Sequence, residues 1–229
     1  MREILNSFIE AFELIISLDK EIYGIILLTI VVTVLSTIVA AALAVPTGII
    51  IGSSEFRAKR LLIRLINTLM GLPPVVAGLI VYLLLSRKGP LGDFALLFTP
   101  AAMVIAQVLI ILPIITGITI GAVKLKVKAI RETCAGLGLG NIRTLFMLFH
   151  ECRYPVMSAV MAGYGRAIAE VGAVMLVGGN IQYNTRVMTT AIVLETGKGN
   201  YDRALALGII LLALSFLVNW LLQHIQEDL

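Results

Sequence analysis

The sequence predicts an all-α integral membrane protein of about five transmembrane helices. Three observations carry that class. Hydrophobic residues make up 59% of the 229 positions and charged residues only 14%, with a positive mean hydropathy, which sets the chain apart from soluble domains. The apolar residues are gathered into five runs, each long enough for the roughly 20 residues a helix needs to cross a bilayer. The runs are continuous, without the alternation of barrel strands, so their backbone polar groups must be satisfied within helices.

Taken in order, residues 1–21 read as an external interfacial segment. Glu3, Glu10 and Glu13 interrupt the apolar stretch, while Phe8, Phe12, Ile15 and Ile16 share the opposite face of a helix, the pattern of a helix lying on a membrane surface. No small-residue cleavage site follows, so a cleaved signal is not expected. The membrane domain covers 22–226, with spans near Ile22–Ile51, Leu61–Leu85, Ala95–Val123, Met157–Gly179 and Ala204–Gln223, and a short tail at 227–229. Pro46, the pair Pro73-Pro74 and Pro113 fall inside spans. A membrane helix tolerates proline where neighbours or water satisfy the freed carbonyls, so these mark kinks facing protein or a cavity. The strongest break is Gly71 to Gly78, where the glycines also permit close helix approach.

Between the third and fourth spans, residues 124–156 form a polar hairpin. A short helix is expected over 129–139, a turn over 138–141 and a second helix over 144–149. Basic residues orient the chain. Arg57, Lys59, Arg60, Arg64, Lys124, Lys126, Lys128, Arg131, Arg143 and Arg153 lie toward the hairpin side. Arg2, Lys20, Arg87, Lys88, Arg186, Lys198 and Arg203 lie on the other, diluted by carboxylates. The positive-inside rule then places the hairpin and the C-terminus in the cytoplasm and the N-terminus outside, in a multi-pass plasma (inner) membrane protein. Cys134 and Cys152 in that hairpin are expected to be reduced thiols.

Enzyme signatures are absent. No G-x-x-x-x-G-K-[ST] loop exists, so the chain does not hydrolyse nucleotide by the P-loop route, and no catalytic residue, metal site or bound cofactor is expected. His150 and His224 are expected at the surface or an interface. An intramembrane enzyme would need paired acids or a nucleophile, and Glu170 is the one deep carboxylate. Arg166 and Glu170 in the fourth span are the ionisable groups set deep in a helix, each costing about 2.5 to 3.5 kcal/mol if left toward the bilayer centre. Four residues apart, they share a face and can pair. The pair either fixes the helix against a neighbour or a second subunit, or lines a translocation route together with Pro73 and Pro74.

Here a family resemblance enters. Glu132-Thr133-Cys134-x3-Gly138, followed by Arg143 and Thr144, resembles the coupling loop of permease subunits of ATP-binding-cassette importers. Thr133 and Cys134 replace the two alanines of that motif, and its I-x-L-P ending falls on Leu148-x-His150-Glu151, with proline only at Pro155. Gly165-Arg166-Ala167-Ile168-Ala169-Glu170-Val171-Gly172-Ala173 is similar to the R-x-x-x-E-[FV]-G-A stretch of molybdate, tungstate and sulfate permeases. The segments Gly178 to Ile181 and Thr185 to Thr190 look most like the tungstate branch.

The resemblance implies the type I importer fold and a permease subunit that carries an oxyanion by alternating access. Its implied partners are two copies of a cytoplasmic ATPase, which holds ATP and Mg, a second copy of this chain, an external substrate-binding protein and membrane lipid, with no nucleic acid. Glu132, Thr133, Cys134, Gly138, Arg143 and Thr144 would couple to the ATPase, and Asn180, Thr185 and Arg186 would form the outer mouth. Molybdate or sulfate are the alternative substrates, and an ion-coupled secondary carrier is the alternative class.

Overall fold

The computed structural model describes residues 20–227. The expected interfacial helix with Phe8, Phe12, Ile15 and Ile16 lies outside the described residues. Within them run nine α-helices: α1 Lys20–Ser53, α2 Lys59–Met70, α3 Pro74–Leu85, α4 Pro100–Gly136, α5 Asn141–Glu151, α6 Arg153–Ile168, α7 Gly172–Gly178, α8 Met188–Gly197 and α9 Tyr201–Glu227, with one 3-10 turn at Gly92–Phe94.

Three helices are each long and apolar enough to cross a membrane, α1, α4 and α9. Two bent pairs, α2 with α3 and α6 with α7, bring the total to as many as five. The second expected span is therefore no single kinked helix. Proline at 73 and 74 removes two successive N–H donors, and Pro73 is extended at φ −61°, ψ 127°, so α2 stops and α3 leaves at 101° to it. Pro46 and Pro113, by contrast, stand inside uninterrupted helices. The fourth expected span is broken too, by 59° between α6 and α7, so Glu170 lies just past a helix end and not within a continuous span.

The third span begins later than expected. Ala95 and Phe98 have positive φ, and the helix starts where the Thr99 hydroxyl accepts from the N–H of Ala102 at 3.4 Å with Pro100 in the first turn, the usual chemistry of a helix start. From there α4 continues without a break through 136. At about 1.5 Å per residue it is some 55 Å long, well beyond the roughly 30 Å hydrocarbon core. The separate short helix expected over 129–139 is thus the free end of this membrane helix, and the second hairpin helix is longer than expected, covering 141–151.

Small residues let the helices meet closely. A Cβ added at Gly48 would lie 2.8 Å from Thr119, and one at Gly52 2.9 Å from Val123, which is where α1 crosses α4. Gly163 of α6 meets Ile115 of α4 in the same way. Ala40, Ala44, Ala102, Ala106, Ala159 and Ala167 fill the shared core, the composition expected where packing rather than water exclusion drives association. A second cluster joins the start of α1 to α8 and α9 through Ile22, Ile25, Met188 and Leu207. Leu27, Ile38, Leu212 and Phe216 project outward.

The two ends of the bundle are distinct. Arg186, after α7, pairs with Glu21 at the start of α1 at 2.9 Å, while Gln226 near the end of α9 reaches Ser158 in the first turns of α6 at 3.4 Å. The described chain therefore begins at one end and finishes at the other, as an odd number of crossings requires.

Candidate functional site

At the end of the bundle near the α9 C-terminus, α4, a tight turn and α5 make the polar hairpin. Its turn is a Schellman motif: Leu139 N donates to Cys134 O at 2.8 Å and Gly138 N to Ala135 O at 3.1 Å, with Gly138 at φ +67°. Glycine reaches that left-handed conformation without a Cβ penalty, which explains the Gly six residues after Glu132. Arg131 Nη2 donates to Ser53 O at 2.6 Å and fastens the hairpin to the end of α1. Lys126 Nζ donates to Glu151 O, also at 2.6 Å, placing a cation on the carbonyl-rich end of α5. Between hairpin and α1 lies a cavity of about 440 Å³ lined by Ser54, Arg131, Leu139, Asn141 and Thr144 among others.

The residues predicted for coupling divide into two groups. Glu132, Thr133, Gly138 and Arg143 are exposed, whereas Cys134 is buried and Thr144 half-buried with its hydroxyl donating to Gly140 O at 3.2 Å. Cys134 therefore packs the hairpin and does not face outward. Three apolar residues the motif reading did not single out stand at the tip, Leu137, Ile142 and Phe146, exposed by 65%, 73% and 69%.

Both cysteines are free thiols and buried. Burial pushes the Cys152 thiol above its ordinary range, outweighing the opposing effect of Lys126. Alkylation by iodoacetamide at pH 8 should accordingly leave Cys152 largely unmodified in the folded chain and label it after denaturation, read by peptide mass spectrometry. Prompt labelling of the folded chain would show the site to be open.

A polar centre sits at the break between α6 and α7. Arg166 Nη1 meets Glu170 Oε2 at 3.1 Å, with side chains 34% and 2% exposed. The other carboxylate oxygen, Oε1, accepts from Ala173 N at 3.0 Å. Thr189 Oγ1 donates to Glu170 O at 3.0 Å, and Gln107 Nε2 donates to Ala167 O at 3.1 Å. The break frees backbone groups that lipid could not satisfy, and α4 and α8 supply the partners. Gln107 was not picked out from sequence, although a lone amide in the apolar run of α4 was a signal, and Thr189 stood out only within the 185–190 segment, not as a partner of this break. The Pro73–Pro74 break comes beside this centre, since a Cβ on Gly172 would lie 2.9 Å from Val75 Cγ2 and 3.8 Å from Glu170 Oε1.

At the opposite end, the predicted mouth residues lie in the 179–187 loop. Asn180 is held at φ +50°. Thr185 is fully buried, its hydroxyl donating to Gly178 O and accepting from Ile181 N at 3.0 Å. Arg186 is engaged with Glu21. Thr185 thus knots the loop together, and the surface there belongs mainly to Ile181, Gln182, Tyr183 and Asn184.

Comparison with known proteins agrees with this architecture. Residues 44–229 match the family described as binding-protein-dependent transport system inner membrane component. The chain is 41% identical over 228 residues, the whole of both proteins, to the tungstate uptake system permease protein TupB of Peptoclostridium acidaminophilum. It is 34% identical to TupB of Campylobacter jejuni, covering 98% of this chain and 94% of that one. With a probable anion ABC transporter permease of Haloferax volcanii it shares 43% identity over 79% of this chain and 80% of the relative. A bundle of up to five spans, two of them broken, with a basic hairpin at one end and no nucleotide-binding loop, belongs to the family of binding-protein-dependent transport system inner membrane components.

Proposed function

We propose that this chain is the membrane subunit of an ATP-driven importer of a tungstate-type oxyanion, working as a homodimer. The observation that carries the docking reading is the hairpin tip, where Leu137, Ile142 and Phe146 stand exposed beside Glu132, Gly138 and Arg143 at the end of a continuous membrane helix. Apolar side chains set among charges suit insertion into a groove on a partner. Because α4 is one continuous helix from Pro100 to Gly136, displacement of the tip is delivered through it to the core of the bundle.

In this reading the hairpin is cytoplasmic, the N-terminus external and the C-terminus cytoplasmic. Two ATPase subunits, holding ATP and Mg, draw two hairpins together and open the path outward to an external binding protein. Two broken spans lie side by side at Val75 and Gly172 and form the path or the dimer contact. Arg166 offers a cation at the break, and Glu170 neutralises it, so an anion passes without a deep trap. The names carried by relatives aligned along nearly the whole chain support tungstate as the cargo.

Gly138→Asp tests the docking. A Cβ at 138 meets nothing within 4 Å, but φ +67° strains any side chain there. Asp and Asn tolerate that region better than most residues, so Gly138→Asn carries the same backbone strain without the charge and serves as the control. Copurification of the ATPase should be abolished with membrane insertion unchanged, and Gly138→Asn should lose less. Unchanged copurification overturns the docking, and uptake in ATP-free vesicles under an ion gradient overturns the importer reading. Calorimetry of the cognate external protein with tungstate, molybdate and sulfate identifies the anion.

A further inference from the structure

A second concave site lies at the hairpin end of the bundle, away from the hairpin tip. The 54–58 loop, the first turns of α2 and the end of α4 enclose a cleft of about 800 Å³. Arg57, Lys59, Arg60, Arg64 and Lys124 line it, against one carboxylate, Glu55. That carboxylate is already taken by Lys59 at 2.8 Å, and Lys59 also donates to Gly52 O at 3.2 Å. The side chains of Arg57, Arg60, Arg64 and Lys124 make no hydrogen bond or close ion pair among the described residues. Four exposed cations from three chain segments thus converge on one opening that holds a single carboxylate, shared between Lys59 and the field of Lys124. The net positive cleft attracts an anion from outside.

The shape of α2 indicates what kind of anion. Viewed down its axis the helix has three sectors. Lys59, Ile66 and the half-buried Ile63 and Met70 face the bundle, Arg60 and Arg64 border the cleft, and Leu61, Leu65 and Leu69 are exposed. A guanidinium fork matches a tetrahedral oxyanion in geometry and charge. A free oxyanion would use only the basic sector. A molecule carrying a phosphate and acyl chains would use both, placing its chains along the three leucines.

We infer that this cleft seats the headgroup phosphate of an anionic lipid. Basic pockets between helices at a membrane surface recognise such headgroups through the same chemistry. The inference is independent of the transported substrate and of the hairpin's partner, since neither Leu137 nor Gly138 takes part.

The test is native mass spectrometry of the full-length chain purified with equal phosphatidylglycerol and phosphatidylcholine, counting the lipid retained. Phosphatidylglycerol should be retained preferentially. Loss of each cation should weaken retention about fivefold, and Arg60→Gln with Arg64→Gln roughly twentyfold, on the scale of a single basic residue near a charged surface. Arg60→Lys with Arg64→Lys should keep most of the preference, and Arg87→Gln with Lys88→Gln, an equal charge loss at the other end of the bundle, should keep all of it. Equal retention of the two lipids, or an unchanged preference in the Gln pair, overturns the inference. So does binding of inorganic tungstate or phosphate that depends on Arg60 and Arg64 while phosphatidylglycerol is ignored.

Discussion

Replacing Glu170 by alanine is expected to lower the stability of the folded chain by about 2 to 3 kcal/mol, somewhat below the value for breaking a fully buried ion pair. The reduction from that range reflects Arg166, which is 34% exposed and so only partly desolvated by the fold. The remainder of the cost has two sources. Arg166 loses its counter-ion, and Ala173 N loses the carboxylate oxygen that satisfies it at 3.0 Å. Glu170→Gln should cost less, because an amide oxygen can still accept from Ala173. Thermal unfolding of the purified chain measures both. In a double-mutant cycle, Arg166→Ala combined with Glu170→Ala should destabilise by less than the two separate losses together. An unchanged melting temperature for Glu170→Ala would remove this centre from any account of the fold.

Gly78→Leu is expected to abolish transport while the chain still inserts. A Cβ at position 78 would stand 2.6 Å from the Cα of Ala173, 3.0 Å from its Cβ and 3.2 Å from its carbonyl oxygen. The obstacle is mainly backbone, so no rotamer change relieves it and α3 must move away from α7. Overpacking a tight contact costs about 1 to 3 kcal/mol, occasionally more. The consequence should reach further than stability. α7 has only seven residues and its start is held by Glu170, so shifting it disturbs the break where the two bent spans meet. Gly121→Leu serves as the control, since a Cβ there meets nothing within 4 Å. Transport by the Gly78 variant at the parental rate would show that this contact yields without consequence.

How far the sequence could be read differs by element. The first and last spans were legible to within a few residues, because a long apolar run in lipid has no alternative to helix. The Gly138 turn was legible as well, since a left-handed residue after a helix is a local requirement that glycine meets. Around the fourth span the ion pair was readable from the four-residue spacing of Arg166 and Glu170. The helix end between them was not, because Val171 and Gly172 do not by themselves forbid helix. What permits the break is satisfaction of the freed groups by Gln107 from α4 and Thr189 from α8, residues 60 and 19 positions away. Thr185 shows the same limit, since the resemblance implied a place at an outer mouth, yet its hydroxyl spans Gly178 and Ile181 and the residue is fully buried.

Composition and the basic residue pattern by themselves determined that this is a helical membrane protein with one polar hairpin, and the resemblance of the 132–144 and 165–173 motifs narrowed its family. Hydropathy and charge are summed along the chain, so they are visible before it folds. Pro73-Pro74 marked the place of one break. Tertiary structure alone decided that it turns the span by 101°, that the fourth span is broken as well, that the two breaks touch at Val75 and Gly172, and that the hairpin's first helix continues a membrane helix. Those outcomes turn on whether a backbone group freed at one place finds a partner from another helix. That depends on contacts between residues far apart in sequence.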